Sequence, residues 1–374
     1  MPPKPHILHL ASWYPGRKDP RLGNFIQRHA EVIAGRCSSA LLYAEPAEAA
    51  SVELKWHGSL REVRVYYRKK LPWISYRRAL YRGLQALRRE GFQPDLLHLH
   101  VAFPAGLWAL EQRLPMVISE HHSGYHTPDQ WPTWERFIRR AILNKAAFIC
   151  PVSDHLGEAL RYFGAARPQK TIGNVVDDRL FHPPKGSRPA GRMRLMHLSS
   201  LADQWKNIRG LLRAVAQLYQ RRRDFELWLG GDGNLEQVKR WAAEAQLPEE
   251  AWRCFGPLKP QEVAAMMRKC DGFVLFSHTE NQPVVLLEAM STGLPIVSSD
   301  VGGIPEFVDE KAGQLVAAGD EAALAEALAQ WLEKGPVCPR ESHPAVASLA
   351  SEEDVGASFE RLYQQVLAPE MGAG

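Results

Sequence analysis

Residues 277–290 read SHTENQPVVLLEAM, and this stretch decides how the rest of the chain is interpreted. A strand-like apolar run at 272–276 precedes it, and the apolar residues after Pro283 have a helical pattern. Proline suits the first position of a helix, where its missing N–H costs nothing. The helix is therefore predicted to start at about Pro283. Its free N–H groups and positive dipole end would form a site for an anion such as a diphosphate.

Two glutamates accompany the start of this helix. Glu280 lies on the loop before it, and Glu288 lies about a turn and a half inside it, within the apolar run 284–290. A carboxylate among apolar residues is poorly explained by simple solvation, and it can accept hydrogen bonds from paired sugar hydroxyls. The competing interpretation is that Glu288 has its hydrogen bonds satisfied within the protein as an ordinary helix residue, and that Glu280 is simply solvated.

Short apolar strands alternate with amphipathic helices on both sides of this stretch, which predicts parallel sheets with helices on both faces. The first half has predicted strands at 6–11, 39–43, 63–68, 95–99, 116–119, 147–152 and 170–172, and the second at 193–199, 225–230, 252–255, 272–276, 295–298 and 313–316. Residues 182–191 are rich in proline and glycine and form the predicted linker. The predicted domains are 1–183, 192–350 and a C-terminal helical segment, 351–374, which is expected to pack back on the first domain.

Composition limits the class of protein. The length of 374 residues suits two α/β domains, and no apolar run approaches the ~20 residues of a membrane span. The five scattered cysteines and the absence of a recognisable secretion signal predict a reduced, cytoplasmic protein. Residues 1–185 hold 27 Lys and Arg against 16 Asp and Glu, so the first half is basic and the second acidic. A basic half suggests an anionic partner.

Several segments resemble the retaining glycosyltransferases of family 4. The two glutamates with seven residues between them are followed by AMSTGLPIV at 289–297 and GGIPE at 302–306. The resemblance implies the GT-B fold, in which two doubly wound Rossmann-like domains face each other across a cleft. It also implies a nucleotide diphosphate sugar bound by the second domain, an acceptor bound mainly by the first, and no cofactor or metal ion.

The resemblance assigns roles on the donor side. Lys206, in the loop and helix start SSLADQWKN at 199–207, matches a lysine that binds the diphosphate, and Glu280 would hold the sugar while Glu288 binds the ribose. Further donor-binding residues carried over are Ser200, Gly231, Leu258, Asn281, Gln282, Pro283 and Val284. Many members have Gly-Arg-Leu where this chain has Ser199-Ser200-Leu201, so the usual arginine partner of the lysine is absent.

The first half matches the family more loosely. Gly23 and Asn24 resemble the family's first loop and helix on the acceptor side, and His100 ends a strand there. His121 matches a histidine near the transferred sugar, with His122 as the rival one register step away. The histidines at 98, 100, 121, 122 and 126 raise the question of a metal site. Alternating histidines at strand ends are a poor match to a tetrahedral zinc set, and none is predicted.

Residues 61–90 form a second distinctive segment. They hold ten Lys and Arg against two Glu, interleaved with aromatic residues. Trp73, Tyr76, Leu80, Leu84 and Leu87 recur at helical spacing. A basic amphipathic helix of this kind can lie on an anionic membrane surface, which would place the protein peripherally on the inner face of a membrane. The alternative is an ordinary helix with its apolar stripe in the core.

The predicted function is transfer of a hexose or N-acetylhexosamine to a glycan or lipid-linked acceptor, in the synthesis of a cell-surface polysaccharide or glycolipid. A sugar epimerase or phosphorylase of the same fold is the alternative. A glycoside hydrolase is disfavoured because its two carboxylates must face each other across one bond. Nucleic-acid binding is disfavoured because no stacking platform or groove motif is recognisable.

Overall fold

The computed structural model describes residues 4–186, 191–335 and 341–368. Part of the predicted linker, Cys338 and the tail 369–374 lie outside these ranges. The chain divides into two compact units, the first being Met1–Val175 with Glu352–Gly374 and the second Val176–Ser351.

The division falls earlier in the sequence than the boundary at 183 predicts. Val176 and Phe181 are buried in a core cluster of the second unit, and the N–H of Val176 donates to the carbonyl of Ala350. Their apolar side chains therefore belong to the second unit, although the proline-rich segment that suggested the boundary comes later.

The first unit contains a seven-stranded sheet with the order β3-β4-β2-β1-β5-β6-β7. Its strands are β1 (His6–Ala11), β2 (Ser38–Pro46), β3 (Ser51–His57), β4 (Leu60–Tyr67), β5 (Leu96–His100), β6 (Met116–Glu120) and β7 (Phe148–Pro151). All pairs are parallel except β3 with β4. The sequence did not predict the edge strand β3, in which no residue is buried. The strand predicted at 170–172 is wrong because only an isolated bridge, Ile149 to Gln169, forms next to it.

Helices cover the sheet as the amphipathic patterns predict. They are α1 (Asn24–Ala34), α2 (Pro72–Arg89), α3 (Gly106–Ala109), α4 (Thr133–Lys145) and α5 (Asp154–Phe163). In α2 the stripe of Tyr76, Leu80, Leu84 and Leu87 is buried in the core. The apolar stripe that raised the membrane question therefore packs on the sheet, and the arginines lie on the opposite, exposed side.

The second unit contains a wholly parallel six-stranded sheet with the order β10-β9-β8-β11-β12-β13. Its strands are β8 (Met193–Ser199), β9 (Phe225–Gly231), β10 (Trp252–Phe255), β11 (Gly272–Leu275), β12 (Ile296–Ser299) and β13 (Gly313–Val316). Its helices are α6 (Asp203–Lys206), α7 (Ile208–Arg221), α8 (Leu235–Glu244), α9 (Pro260–Met267), α10 (Val284–Ser291), α11 (Glu321–Lys334) and α12 (Pro344–Leu349). The strand bounds agree with the predicted strands to within one residue at each end.

The last helix, α13 (Glu352–Leu367), returns to the first unit. Phe359, Leu362 and Tyr363 are buried there in a cluster that includes Ile7 and Val117. In both sheets the strand order reverses beside the first strand, between β1 and β5 and between β8 and β11. Ligands of open α/β sheets bind beyond the carboxyl ends of the strands at such points. Within the described ranges, no helix has the length and hydrophobicity to cross a bilayer.

Candidate functional site

The second unit brings Lys206 and Glu280 together where its strand order reverses. Lys206 ends α6, which follows β8, and Glu280 lies in the loop after β11. Nζ of Lys206 donates to Oε1 of Glu280 over 2.5 Å, and the hydroxyl of Ser277 donates to the same oxygen over 2.7 Å. Their side chains are only 21% and 9% exposed. A lysine and a carboxylate, each fixed by a hydrogen bond, therefore lie where a sheet of this kind is expected to bind its ligand.

Two glycines fix the backbone of the loops around this pair. Gly302, after β12, has a φ of 59°, and a Cβ there would lie 1.7 Å from the carbonyl oxygen of Glu280. Gly231 ends β9, and a Cβ there would lie 1.8 Å from the carbonyl oxygen of Ser199. Only glycine allows approaches this close. The ends of β8 and β9 therefore lie backbone against backbone, and so do the loops after β11 and β12.

Helix α10 begins directly after this loop. Pro283 is its N-cap, with an extended ψ of 113°, so the helix starts at Val284, one residue later than predicted. The first N–H groups of any helix lack partners inside it and carry the positive end of the dipole. Glu288 is buried in the second turn, at 8% exposure. The sequence-predicted arrangement of a helix start flanked by two glutamates is present in the described structure.

The remaining predicted donor residues also follow the strands of this sheet. Asn281 is buried and Gln282 is half-buried, and both lie between Glu280 and Pro283. Ser200 is exposed in the loop after β8, beside the turn containing Gly233. Leu258 follows β10 and packs against the core cluster that contains Leu286. All of these residues therefore lie beyond carboxyl ends of strands.

In the first unit, the loop from β1 to α1 is fixed to the neighbouring strand. The N–H of Ser12 donates to the carbonyl of His100 over 3.0 Å, and its hydroxyl donates to the carbonyl of Val101 over 2.7 Å. Gly23 caps α1 with a φ of 69°, and a Cβ there would lie 2.7 Å from the carbonyl oxygen of Trp13. Asn24 is the exposed first residue of α1. Gly23 is thus required by the turn itself, whatever it contacts in a ligand.

A buried carboxylate, which the sequence reasoning did not single out, holds the segment around His121. Glu120 ends β6 and is fully buried. Its Oε1 accepts the N–H groups of His121 and His122, each over 2.9 Å, and its Oε2 accepts the N–H of Ala102 over 2.9 Å. Burial raises the pKa of this carboxyl above its ordinary value, although the three N–H donors oppose that shift. Glu120 therefore joins the carboxyl ends of β5 and β6.

We expect Glu120→Gln to lower the free energy of unfolding by about 2–3 kcal/mol, because an amide cannot accept at both of its ends and leaves buried N–H groups unpaired. Chemical denaturation of the purified variant measures this change. Glu111→Gln is the control, since Glu111 pairs with Arg77 in an exposed ion pair, where a loss of about 0–1 kcal/mol is typical. Equal losses in the two variants would contradict the structural role of Glu120.

Five histidines converge on one face of the first sheet. His9, His98 and His100 lie on the adjacent strands β1 and β5, His29 lies on α1, and His121 follows β6. One ring nitrogen from each of His9, His98 and His100 lies within 4.8 Å of the others, and the same holds for His29, His100 and His121. The sequence reasoning considered His98, His100 and His121 but missed His9 and His29. The pattern His-x-His occurs in β5 but not in β1, so no local signal marked His9, which pairs opposite His98 only once the strand order is known.

The rival His122, and His126 after it, lie outside this cluster. His122 caps the short 3-10 helix Ser123–His126, its Nδ1 accepting the N–H of Gly124 over 2.8 Å. His126 stacks on His155, with ring centroids 4.5 Å apart. Of the two register alternatives, only His121 joins the histidine cluster.

Two family models match the chain and divide it as the two sheets do. Residues 25–180 match Glycosyltransferase Family 4, and residues 192–334 match Glycosyl transferases group 1. Among curated proteins, the chain is 31% identical over 64% of its length to WcaL of Escherichia coli K12, named as a colanic acid biosynthesis glycosyltransferase, of which the match spans 62%. It is 30% identical over 67% of its length to a glycosyltransferase named EpsF of Bacillus subtilis, of which the match spans 68%.

Solved structures share the fold. Sucrose-phosphate synthase of Thermosynechococcus elongatus superposes with a TM-score of 0.79 at 19% identity, covering 97% of this chain and 99% of that one. HepE of Anabaena, in complex with UDP and glucose, superposes with a TM-score of 0.72 at 16% identity, covering 96% and 99%. At such identities the likeness establishes the architecture of two Rossmann-like α/β domains and nothing finer.

Proposed function

Because the chain belongs to the GT-B glycosyltransferases, with a family 4 domain followed by a group 1 domain, we propose that it is a retaining hexosyltransferase. The donor is a nucleotide diphosphate sugar carrying a hexose or an N-acetylhexosamine. The acceptor is a glycan or a lipid-linked saccharide, and the product belongs to a cell-surface polysaccharide or glycolipid. The relative named for colanic acid biosynthesis supports the choice of a polysaccharide pathway.

The observation that carries the proposal is the pairing of Lys206 with Glu280 just ahead of helix α10. A diphosphate needs cationic and N–H donors, and a sugar needs hydroxyl acceptors. Lys206 and the start of α10 supply the donors, and Glu280 supplies the acceptor. Both kinds of group follow strands of a single sheet, so one nucleotide sugar can reach them together.

In the proposed mechanism the diphosphate leaves as an oxocarbenium-like sugar forms. Lys206 and the first N–H groups of α10 stabilise the negative charge that develops on the leaving group. Glu280 orients the sugar hydroxyls, Glu288 binds the ribose, and His121 donates to the transferred sugar or to a backbone carbonyl. The departing phosphate accepts the proton of the acceptor hydroxyl, so no protein base is assigned.

The acceptor side is proposed to lie in the first unit, with Gly23, Asn24 and His100. Exposed arginines of α2, including Arg78 and Arg82, and the exposed apolar residues Leu71 and Ile74 near its start suit an anionic lipid surface. A lipid-linked acceptor would be met there by a cytoplasmic protein bound peripherally to the inner face of the membrane.

A panel of UDP-, GDP- and ADP-sugars, scored by thermal shift, tests the proposal. A true donor at about 100-fold above its Kd should raise the apparent stability by about 2.7 kcal/mol, because it binds only the native state. Nucleoside monophosphates are the control, since they lack the diphosphate. If none of the nucleotide sugars stabilises the protein more than the monophosphates do, the proposed donor site is wrong.

Product analysis with the stabilising donor separates the proposal from its alternative. Transfer to an added acceptor, with the anomeric configuration of the donor preserved, is expected of a retaining transferase. Conversion of the nucleotide sugar when incubated alone would instead identify an epimerase, and phosphate-dependent release of sugar phosphate would identify a phosphorylase.

A further inference from the structure

The histidine cluster of the first unit contains ring nitrogens that the described structure leaves without hydrogen-bond partners. Nδ1 of His29 and Nδ1 of His100 are buried and unpaired. His197 of the second unit shows the ordinary alternative, since its two ring nitrogens meet the carbonyl of Val274 at 3.0 Å and the hydroxyl of Ser199 at 2.8 Å. A buried polar atom without a partner is costly, so unpaired nitrogens that converge call for a group to fill the space between them.

We propose that His29, His100 and His121 bind a divalent transition-metal ion, of which Zn²⁺ fits the ligand set best. One ring nitrogen of each residue lies within 4.8 Å of the other two. Three nitrogens bound at about 2.0–2.1 Å to a tetrahedral zinc ion are separated by about 3.3 Å, so small rotations of the rings close the site. Imidazole is a preferred ligand of zinc, and water can occupy the fourth position.

The hydrogen bonds of His29 fix which of its nitrogens can bind a metal. Nε2 lies 3.0 Å from the carbonyl oxygen of Gly173. A carbonyl only accepts, so Nε2 carries the proton and Nδ1 keeps its lone pair for a ligand bond. Metal-binding histidines commonly donate their other ring N–H to a backbone carbonyl in this way.

A second contact of the same kind supports His100. Its Nε2 lies 3.0 Å from Nδ1 of His9, so donation from His100 to His9 leaves Nδ1 of His100 free to coordinate. Neutral imidazole is the form that binds metal ions, and these contacts leave one nitrogen of each ring with its lone pair available.

The alternative set of His9, His98 and His100 fits less well. Nε2 of His98 lies 2.8 Å from the hydroxyl of Ser119, and Nδ1 lies 2.6 Å from the hydroxyl of Tyr363. Both nitrogens of His98 are already engaged, so binding a metal there would break a buried hydrogen bond. The set that contains His29 requires no such loss at His29 or His100.

For the proposed function, the metal ion would serve to position the ring of His121. Coordination through one nitrogen of His121 would fix the orientation of its ring and leave the other nitrogen as a donor, as the proposed contact with the sugar requires. The metal site itself stands on the geometry of the first unit and does not depend on the identity of the donor.

Metal analysis of protein prepared without a polyhistidine tag tests the proposal. After removal of metals with a chelator, the protein is expected to bind one equivalent of Zn²⁺ and to gain melting temperature on doing so. Co²⁺ in its place should give the visible absorption of a tetrahedral complex. No tight equivalent of either ion would overturn the proposal and leave buried water as the occupant.

Variants locate the ion. His29→Gln can still donate to Gly173 but loses the ligand nitrogen, and it should abolish stoichiometric binding and the Co²⁺ spectrum. His9→Gln removes the partner of His100 and should weaken binding about 10–100-fold. His155→Gln, at an exposed position, should bind like the unaltered protein. Unchanged binding by His29→Gln would overturn the assignment. If that variant does not fold, the unaltered protein decides: a Co²⁺ spectrum without tetrahedral character would overturn the assignment as well.

Discussion

Lys206→Ala is expected to lower kcat/KM about 10–100-fold, the equivalent of one charge-assisted hydrogen bond worth about 1.5–3 kcal/mol. Lys206 is the cation that the proposed mechanism places on the leaving diphosphate, where negative charge grows as the sugar departs. The loss should appear mainly in kcat, because the interaction strengthens in the transition state. Steady-state kinetics with the donor identified by thermal shift measures it.

The control for this variant is Lys239→Ala. Lys239 forms an ion pair with Glu236 over 2.7 Å on the exposed surface of α8, so its removal should leave kcat/KM unchanged. Turnover by Lys206→Ala near that of the unaltered protein would contradict the role given to Lys206. A fall in melting temperature without a fall in kcat would mean that the pair with Glu280 stabilises the fold and takes no part in catalysis.

Gly302→Ala is expected to displace Glu280 and lower activity, although Gly302 itself has no side chain that could take part in the reaction. Its Cβ would lie 1.7 Å from the carbonyl oxygen of Glu280, and the φ of 59° costs a non-glycine residue about 1–2 kcal/mol. Backbone cannot yield as a flexible side chain does, so the loop that carries Glu280 must move. We expect a loss of more than about 2 kcal/mol in the free energy of unfolding and at least about a tenfold loss of kcat/KM.

Gly319→Ala separates the two causes. Gly319 has a similar φ of 78°, but no atom lies within 4 Å of the position of its Cβ. This variant should show the backbone strain alone, about 1–2 kcal/mol, with activity unchanged. If Gly302→Ala matched it in both stability and activity, the contact with Glu280 would not position the carboxylate.

The sequence predicted well wherever the signal was local. Strands such as β8 and helices such as α7 follow from apolar periodicity within a dozen residues. The boundary predicted at 183 rests on breaker residues, which mark a change of chain direction, whereas the division by contacts at 175/176 follows the burial of Val176 and Phe181. The strand β3 was missed because an edge strand needs little hydrophobic alternation when its pairing with β4 supplies the hydrogen bonds.

By itself, the sequence determined the α/β class of both halves, the helix that follows Pro283, and the two glutamates that accompany it, because turn chemistry and periodicity act over a few residues. Only the tertiary structure decided that Lys206 meets Glu280, 74 positions away, and that His29 meets His100 and His121. Parallel strands distant in sequence end at one edge of a sheet, and the order in which they pair depends on packing across the whole unit.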